Sequence, residues 1–211
     1  VSPWCGLGGE PFALLYHARS KRLYGLTGSG AAPKLATRDY FIQRGYDLMP
    51  TEGAISIAIP GEVDAYVAIL ERFGTQSLEK LLEPAIGYAE EGYPIPPRIA
   101  VRFQQAVDKL NRFPESASIF TREGKPYREG DILVQMNLAR SLRRVAQSGA
   151  DEFYRGELAK EIVSAVQQAG GLYTLKEFAS HKSILYDDPI RTDYRGYTVY
   201  ETSPPSQGLI V

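Results

Sequence analysis

The sequence predicts an α/β fold in one continuous unit, and three observations carry that reading. Two short apolar stretches, Phe12–His17 and Arg22–Thr27, flank the polar run Ala18-Arg19-Ser20-Lys21 and read as a β-hairpin. From residue 61 to about residue 169 the apolar residues recur at helical spacing. The C-terminal part returns to strand-like alternation near residues 189–201, where Arg195-Gly196 supplies a turn and Pro204-Pro205 ends the pairing. Several helices in a row between strands do not fit the regular alternation of a doubly wound sheet.

The remaining elements follow in order. Gly6-Leu7-Gly8-Gly9 is backbone that needs small residues, as close approach to another segment would require. Thr37 reads as the cap of a short helix to about residue 44, and residues 53–59 as a buried strand stopped by Pro60. Residues 61–73 predict a helix burying Val63, Tyr66, Val67 and Leu70, ended by Gly74. A second helix starts at Ser77-Leu78-Glu79-Lys80 and reaches Gly92, with Leu78, Leu81, Leu82, Ile86 and Ala89 inward. Pro94, Pro96 and Pro97 form a corner into a helix over about 98–112, and residues 120–130 read as a turn-rich hairpin. Residues 135–147 and 151–169 are amphipathic, and Thr174 caps a short helix carrying Glu177 and Phe178. No repeat, low-complexity tract or linker interrupts the chain.

At 211 residues the chain is long enough for a sizeable core, and 44% hydrophobic with 23% charged residues is an ordinary globular composition. With 24 basic and 25 acidic residues the formal net charge is −1, which removes the electrostatic case for a nucleic-acid or membrane-surface partner. Lys21-Arg22 and Arg143-Arg144 read as solvated faces. No apolar run approaches the roughly 18 residues a membrane-spanning helix needs. The lone Cys5 provides neither an internal disulfide nor a cysteine cluster, and two histidines, His17 and His181, leave little for a metal site. The expectation is no cofactor and no metal. The chain begins with Val1 and ends in apolar Gly208-Leu209-Ile210-Val211, so it reads as a segment incomplete at both ends. The compartment stays open between cytoplasm and periplasm, with a prokaryotic source favoured.

No catalytic set can be assembled from these residues alone. Ser29 lies in Gly28-Ser29-Gly30, which is not a G-x-S-x-G elbow because residues 26 and 27 are Leu and Thr. The run Gly25-Leu26-Thr27-Gly28-Ser29-Gly30 lacks the third glycine of a dinucleotide loop and the Gly-Lys of a phosphate loop, so it reads as a tight turn. Cys5 reads as a small buried hydrophobe. Glu90-Glu91, Asp151-Glu152 and Asp187-Asp188 are sequence neighbours, and neighbours on a helix do not face each other as an acid–base pair must.

The C-terminal run Asp193-Tyr194-Arg195-Gly196-Tyr197-Thr198-Val199-Tyr200-Glu201-Thr202-Ser203-Pro204-Pro205-Ser206-Gln207-Gly208 resembles a signature of the γ-glutamyltranspeptidase family, D-Y-R-G-Y-x-V-Y-x-x-x-P-P-S-x-G. Five further stretches are similar to that family's large subunit: Gly6-Leu7-Gly8-Gly9-Glu10-Pro11-Phe12, Ala31-Ala32-Pro33-Lys34-Leu35-Ala36-Thr37, Ile59-Pro60-Gly61-Glu62-Val63-Asp64-Ala65, the helix segment from Phe73 to Gly92, and Glu152-Phe153-Tyr154-Arg155-Gly156. The resemblance runs in register from about residue 3 to 211. It implies part of an N-terminal-nucleophile hydrolase with an αββα sandwich, with residues 1–211 forming a large-subunit segment. It also implies a self-cleaving precursor, a heterodimer with a small subunit, and a small-molecule amide substrate. In such enzymes the first Thr of the small subunit is the nucleophile and its free amine the base. None of Thr37, Thr51, Thr75, Thr121 or Thr174 stands in that context, so no catalytic residue is expected in this chain.

One departure from the family pattern bears on the substrate. Members that use glutathione carry, in the turn before Ala-Pro, an Arg that grips the donor's α-carboxylate. Aligning Ala32-Pro33 puts Ser29 there, between Gly28 and Gly30. A hydroxyl lacks the guanidinium's bidentate, charge-assisted grip. Gly28, Ser29 and Gly30 are therefore the expected substrate-binding residues. Arg38, nine residues on, is a second candidate contact as well as a residue of a helix start. The Gly-Ser-Gly turn is similar to that of cephalosporin acylases and small-amide amidohydrolases. The resemblance thus implies cleavage of a γ-glutamyl or related acyl amide, with a glutathione transferase or a non-catalytic homologue as the alternatives.

Overall fold

A computed structural model of the chain describes residues 6–210, so the reading of Cys5 lies outside the described residues. Along the chain run β1 (Phe12–His17), β2 (Arg22–Thr27), α1 (Arg38–Ile42), α2 (Glu62–Phe73), α3 (Leu78–Glu91) and β3 (Tyr93–Pro94). There follow α4 (Pro97–Leu110), α5 (Pro114–Phe120), β4 (Thr121–Arg122), β5 (Lys125–Pro126), β6 (Ile132–Leu133) and α6 (Met136–Tyr154). The last elements are α7 (Glu157–Gln168), α8 (Leu175–Ala179), β7 (Ile184–Tyr186), β8 (Ile190–Tyr194) and β9 (Tyr197–Glu201).

The described chain divides into two compact units, residues 78–147 on one side and residues 6–77 with 148–210 on the other. Neither crossing is marked by a change of composition. The second passes through α6, where Gly149 leaves helical geometry at φ 65°, ψ −154°.

The unit of residues 78–147 is mostly helical. Its core gathers Ile95, Phe103 and Leu133, with Tyr93, Ile99, Leu110, Phe120 and Tyr127 packed around them. Pro97 opens α4 at a position whose N–H has no helical partner, so proline there removes no bond. Arg143 donates to both oxygens of Glu90, at 2.9 and 2.5 Å. That pair accounts for one member each of Arg143-Arg144 and Glu90-Glu91 as surface structure.

In the other unit β2 is the middle strand of an antiparallel sheet ordered β1-β2-β7. Tyr24 and Leu26 of β2 are buried. Phe153, Tyr154, Tyr173 and Phe178 form an aromatic core, with ring centroids 4.9–5.8 Å apart in their paired contacts. The β8–β9 hairpin pairs in the register expected, Tyr194 opposite Tyr197. Both central turn residues, Arg195 and Gly196, have positive φ (49° and 84°), the requirement of a two-residue turn matching strand twist.

Four expectations are corrected. Residues 53–59 form no strand: Gly53 takes φ 83°, the Ser56 hydroxyl donates to the Gly53 carbonyl at 2.8 Å, and Ala54–Ser56 closes a 3₁₀ turn. That local bond competes with sheet pairing, and Ile57 is left 39% exposed. Tyr66 does not face inward, because α2 buries its first turn, Glu62 to Ala65, instead of a lengthwise stripe. Leu81 of α3 is likewise exposed. Residues 151–169 break at Arg155-Gly156, where the Gly156 N–H returns to Asp151 O at 2.8 Å and α7 starts afresh. Helix α5 and strand β7 were not anticipated.

Candidate functional site

Three backbone segments converge around the Gly28-Ser29-Gly30 turn, and glycine is what lets them do so. The Gly28 N–H donates to Pro11 O at 2.8 Å, and the Ile59 N–H to Ala31 O at 3.3 Å. The N–H groups of Gly61 and Glu62 both donate to Gly9 O, at 3.0 and 3.1 Å. A Cβ on Gly30 would fall 1.6 Å from Ile59 O, and one on Gly61 1.5 Å from Gly28 O. Neither obstacle is a flexible side chain, so both positions need glycine for close approach. The turn is thereby fixed between the 9–11 and 59–62 segments.

The Ser29 hydroxyl, half-buried on this frame, donates to Glu10 Oε2 at 3.3 Å. The Gly28 carbonyl faces the start of α2, as its closeness to Gly61 requires. Arg38 is the first residue of α1, on the exposed surface. Among the described residues it makes no hydrogen bond or ion pair with the Gly28–Gly30 turn. The 31–36 segment is anchored elsewhere: the Lys34 N–H donates to Glu177 Oε1 at 2.7 Å. The sequence predicted Thr174 as the cap of α8, and Glu177 completes a capping box with it. The Lys34 N–H, helped by Thr174, holds the Glu177 carboxyl below its usual range.

Beneath the turn lies a buried polar cluster that the sequence reading did not single out. Asp64, 5% exposed, accepts from the Ser183 N–H at 2.6 Å and from Lys182 Nζ at 3.1 Å. Burial raises the Asp64 pKa, but the Ser183 N–H and the Lys182 ammonium together outweigh it and hold the carboxyl low. The Tyr154 hydroxyl donates to Pro60 O at 2.7 Å and accepts from the Asp64 N–H at 3.3 Å, so its proton is held and burial pushes its pKa up. His181 stacks on Tyr154 at 5.2 Å and is 7% exposed, and its Nε2 is buried with no hydrogen-bond partner. Burial lowers the His181 pKa and keeps the ring neutral. Glu62 is also buried, with its carboxylate accepting from Tyr66 and from the Gly6 N–H. No local signal could have shown this cluster, because its partners lie as far apart as Asp64 and Ser183.

Chemically the arrangement is a shaped turn on a rigid, charge-satisfied base. It carries a half-buried hydroxyl bonded to an exposed carboxylate, and among the described residues it contains no nucleophile–base pair. A groove of about 730 Å³ in the 78–147 unit is lined by residues such as Arg122, Tyr127, Arg128 and Glu129, and it too carries no nucleophile–base pair. Among the described residues no helix is long and apolar enough to cross a membrane.

A family model described as Gamma-glutamyltranspeptidase matches residues 2–211. The chain is similar to a Bacillus subtilis glutathione hydrolase-like YwrD proenzyme, 39% identical over 205 residues, covering 97% of this chain and 38% of that one. It is similar to the Escherichia coli glutathione hydrolase proenzyme, 36% identical over 208 residues, covering 97% and 36%. Among solved structures, Helicobacter pylori gamma-glutamyltranspeptidase superposes with TM-score 0.89 at 32% identity, covering 96% of this chain and 58% of that one. Cephalosporin acylase from Bacillus halodurans gives 0.88 at 34%, covering 94% and 38%. The chain thus spans somewhat over a third of these curated relatives. Its mixed α/β arrangement is part of an N-terminal-nucleophile hydrolase fold.

Proposed function

Because the chain belongs to the gamma-glutamyltranspeptidase family, we propose that it is the large-subunit part of an amide-cleaving enzyme. The nucleophile is the first Thr of a small subunit cut from the same precursor and lying beyond this chain. Its free amine takes the hydroxyl proton as the oxygen attacks the substrate carbonyl, and the same proton leaves on the departing amine. The resulting acyl-enzyme is then opened by water. The part of the present residues is to shape the acyl pocket. Strand β1 supports a partner on this side: among the described residues it pairs with β2 alone, and its Phe12, Leu14 and Tyr16 are exposed on one face.

The observation that carries the substrate reading is Ser29 on the fixed turn, bonded to Glu10, where a γ-glutamyl grip calls for a guanidinium. Charge-assisted hydrogen bonds are worth about 1.5–3 kcal/mol each, so losing that grip weakens a γ-glutamyl donor by about 10²-fold or more. The reading is therefore hydrolysis of an acyl amide other than glutathione. The names of the relatives favour a second reading, a glutathione hydrolase or transferase binding its donor differently. Turnover of γ-glutamyl-4-nitroanilide by the complete protein, with and without glycylglycine, separates them. Fast turnover accelerated by glycylglycine establishes the second reading, and no turnover of that donor removes it. Replacing the small-subunit Thr abolishes all turnover if the mechanism is right. Persistent turnover shows that another group does the chemistry.

A further inference from the structure

Among the described residues, Glu10 is the one side chain hydrogen-bonded to Ser29, at 3.3 Å, and its flanking backbone is held in place. Both flanking residues are pinned: Gly9 O accepts from Gly61 and Glu62, and Pro11 O accepts from Gly28. The carboxylate sits on the exposed side of this frame, and among the described residues no cation is paired with it. Lys182, the ammonium of the cluster below, is engaged with Asp64 at 3.1 Å. The turn therefore carries, on a pinned backbone, a carboxylate that is unpaired with any cation among the described residues and hydrogen-bonded to a hydroxyl.

We propose that Glu10, oriented by Ser29, is a specificity-determining residue that favours acyl groups ending in an ammonium and disfavours those ending in a carboxylate. The inference rests on the reading that the Gly28–Gly30 turn faces the acyl group. Glu10 takes no part in bond making; it selects by charge, while Ser29 holds one of its oxygens. A unit charge about 4 Å from another near a water-screened surface shifts binding by roughly tenfold. Acceptance and rejection should each be of that size.

The test uses the complete two-chain enzyme, wild type and Glu10→Gln, with 4-aminobutyryl-, glutaryl- and pentanoyl-4-nitroanilide. The Gln variant keeps the shape and removes the charge. The expected result, relative to the neutral pentanoyl donor, is that kcat/KM for the glutaryl donor rises about tenfold. For the 4-aminobutyryl donor it falls about tenfold. Ser29→Ala moves both ratios the same way by less. If Glu10 only braces the loop, all three donors change together, and that result overturns the proposal, as does no change in either ratio. Calorimetric binding of the same three compounds scores the ratios independently of turnover. Wild-type enzyme that binds with the expected ratios but turns over none of the three removes the hydrolase reading and upholds the charge selection.

Discussion

Replacing Gly61 with Ala adds one methyl where there is no room for it. The new Cβ would stand 1.5 Å from Gly28 O, 2.6 Å from Gly28 C and 2.9 Å from His181 Nε2. Ordinary contact needs about 3.4 Å or more, so either the turn or the start of α2 must move by nearly 2 Å. Both are tied in place, by the Gly61 and Glu62 donations to Gly9 O and the Gly28 donation to Pro11 O. Gly61 has φ −109° and ψ −5°, which alanine adopts without strain. The unfolded chain then loses entropy and returns about 0.4–1 kcal/mol of stability. Overpacking against backbone costs about 1–3 kcal/mol or more, so the net expectation is a loss of about 2 kcal/mol. That lowers the thermal midpoint by about 4–8 °C for a unit of this size. Gly87 in α3 is the matched control: its Cβ meets nothing within 4 Å, and alanine in a helix interior gains about 0.5–1 kcal/mol. Scanning calorimetry of the complete protein reads both variants. An unchanged or raised midpoint for Gly61→Ala refutes the argument that three backbone segments lock the turn.

Two pH-dependent outcomes follow from the buried cluster. The Asp64 carboxyl is depressed in the folded state, so its contribution is present above the unfolded carboxylate pKa of about 3.9 and disappears as pH falls through the lower folded value. Asp64→Ala removes the acceptor of the half-buried Ser183 N–H, loses about 1–3 kcal/mol at pH 7 in urea titration, and loses progressively less towards pH 2. His181 is depressed by burial, so the unfolded chain binds its proton first and stability falls as pH drops below about 6.5. The charges whose fields reach the ring are Asp64 and Glu10, which favour its protonation, and Lys182, which opposes it. His181→Phe keeps the stacking on Tyr154 and flattens stability between pH 7 and 5; an unchanged slope there assigns the effect to another group.

Local chemistry made much of this fold legible. The first hairpin, the Thr37 and Thr174 caps and the Arg195-Gly196 turn each act within a few residues, and each stands where the sequence puts it. Residues 53–59 misled because an apolar run says nothing of whether a partner strand exists, while Gly53 and Ser56 offered a turn at hand. Strand β7 was missed because its three residues gain strand character only from β2, more than 150 positions earlier. The site divides the same way. The Gly28-Ser29-Gly30 turn is visible as small residues in sequence, whereas Glu10, Asp64, Tyr154 and His181 reach it through contacts that no local pattern announces.

The central claim is that these residues shape the acyl pocket of a self-cleaving hydrolase. The most direct measurement is the denaturing intact mass of the protein made from its complete reading frame, wild type and with the small-subunit Thr replaced by Ala. The account predicts two chains for the wild type, the second beginning with Thr, and one uncut chain for the variant. A single uncut wild-type chain, or cleavage that survives loss of the Thr, contradicts it.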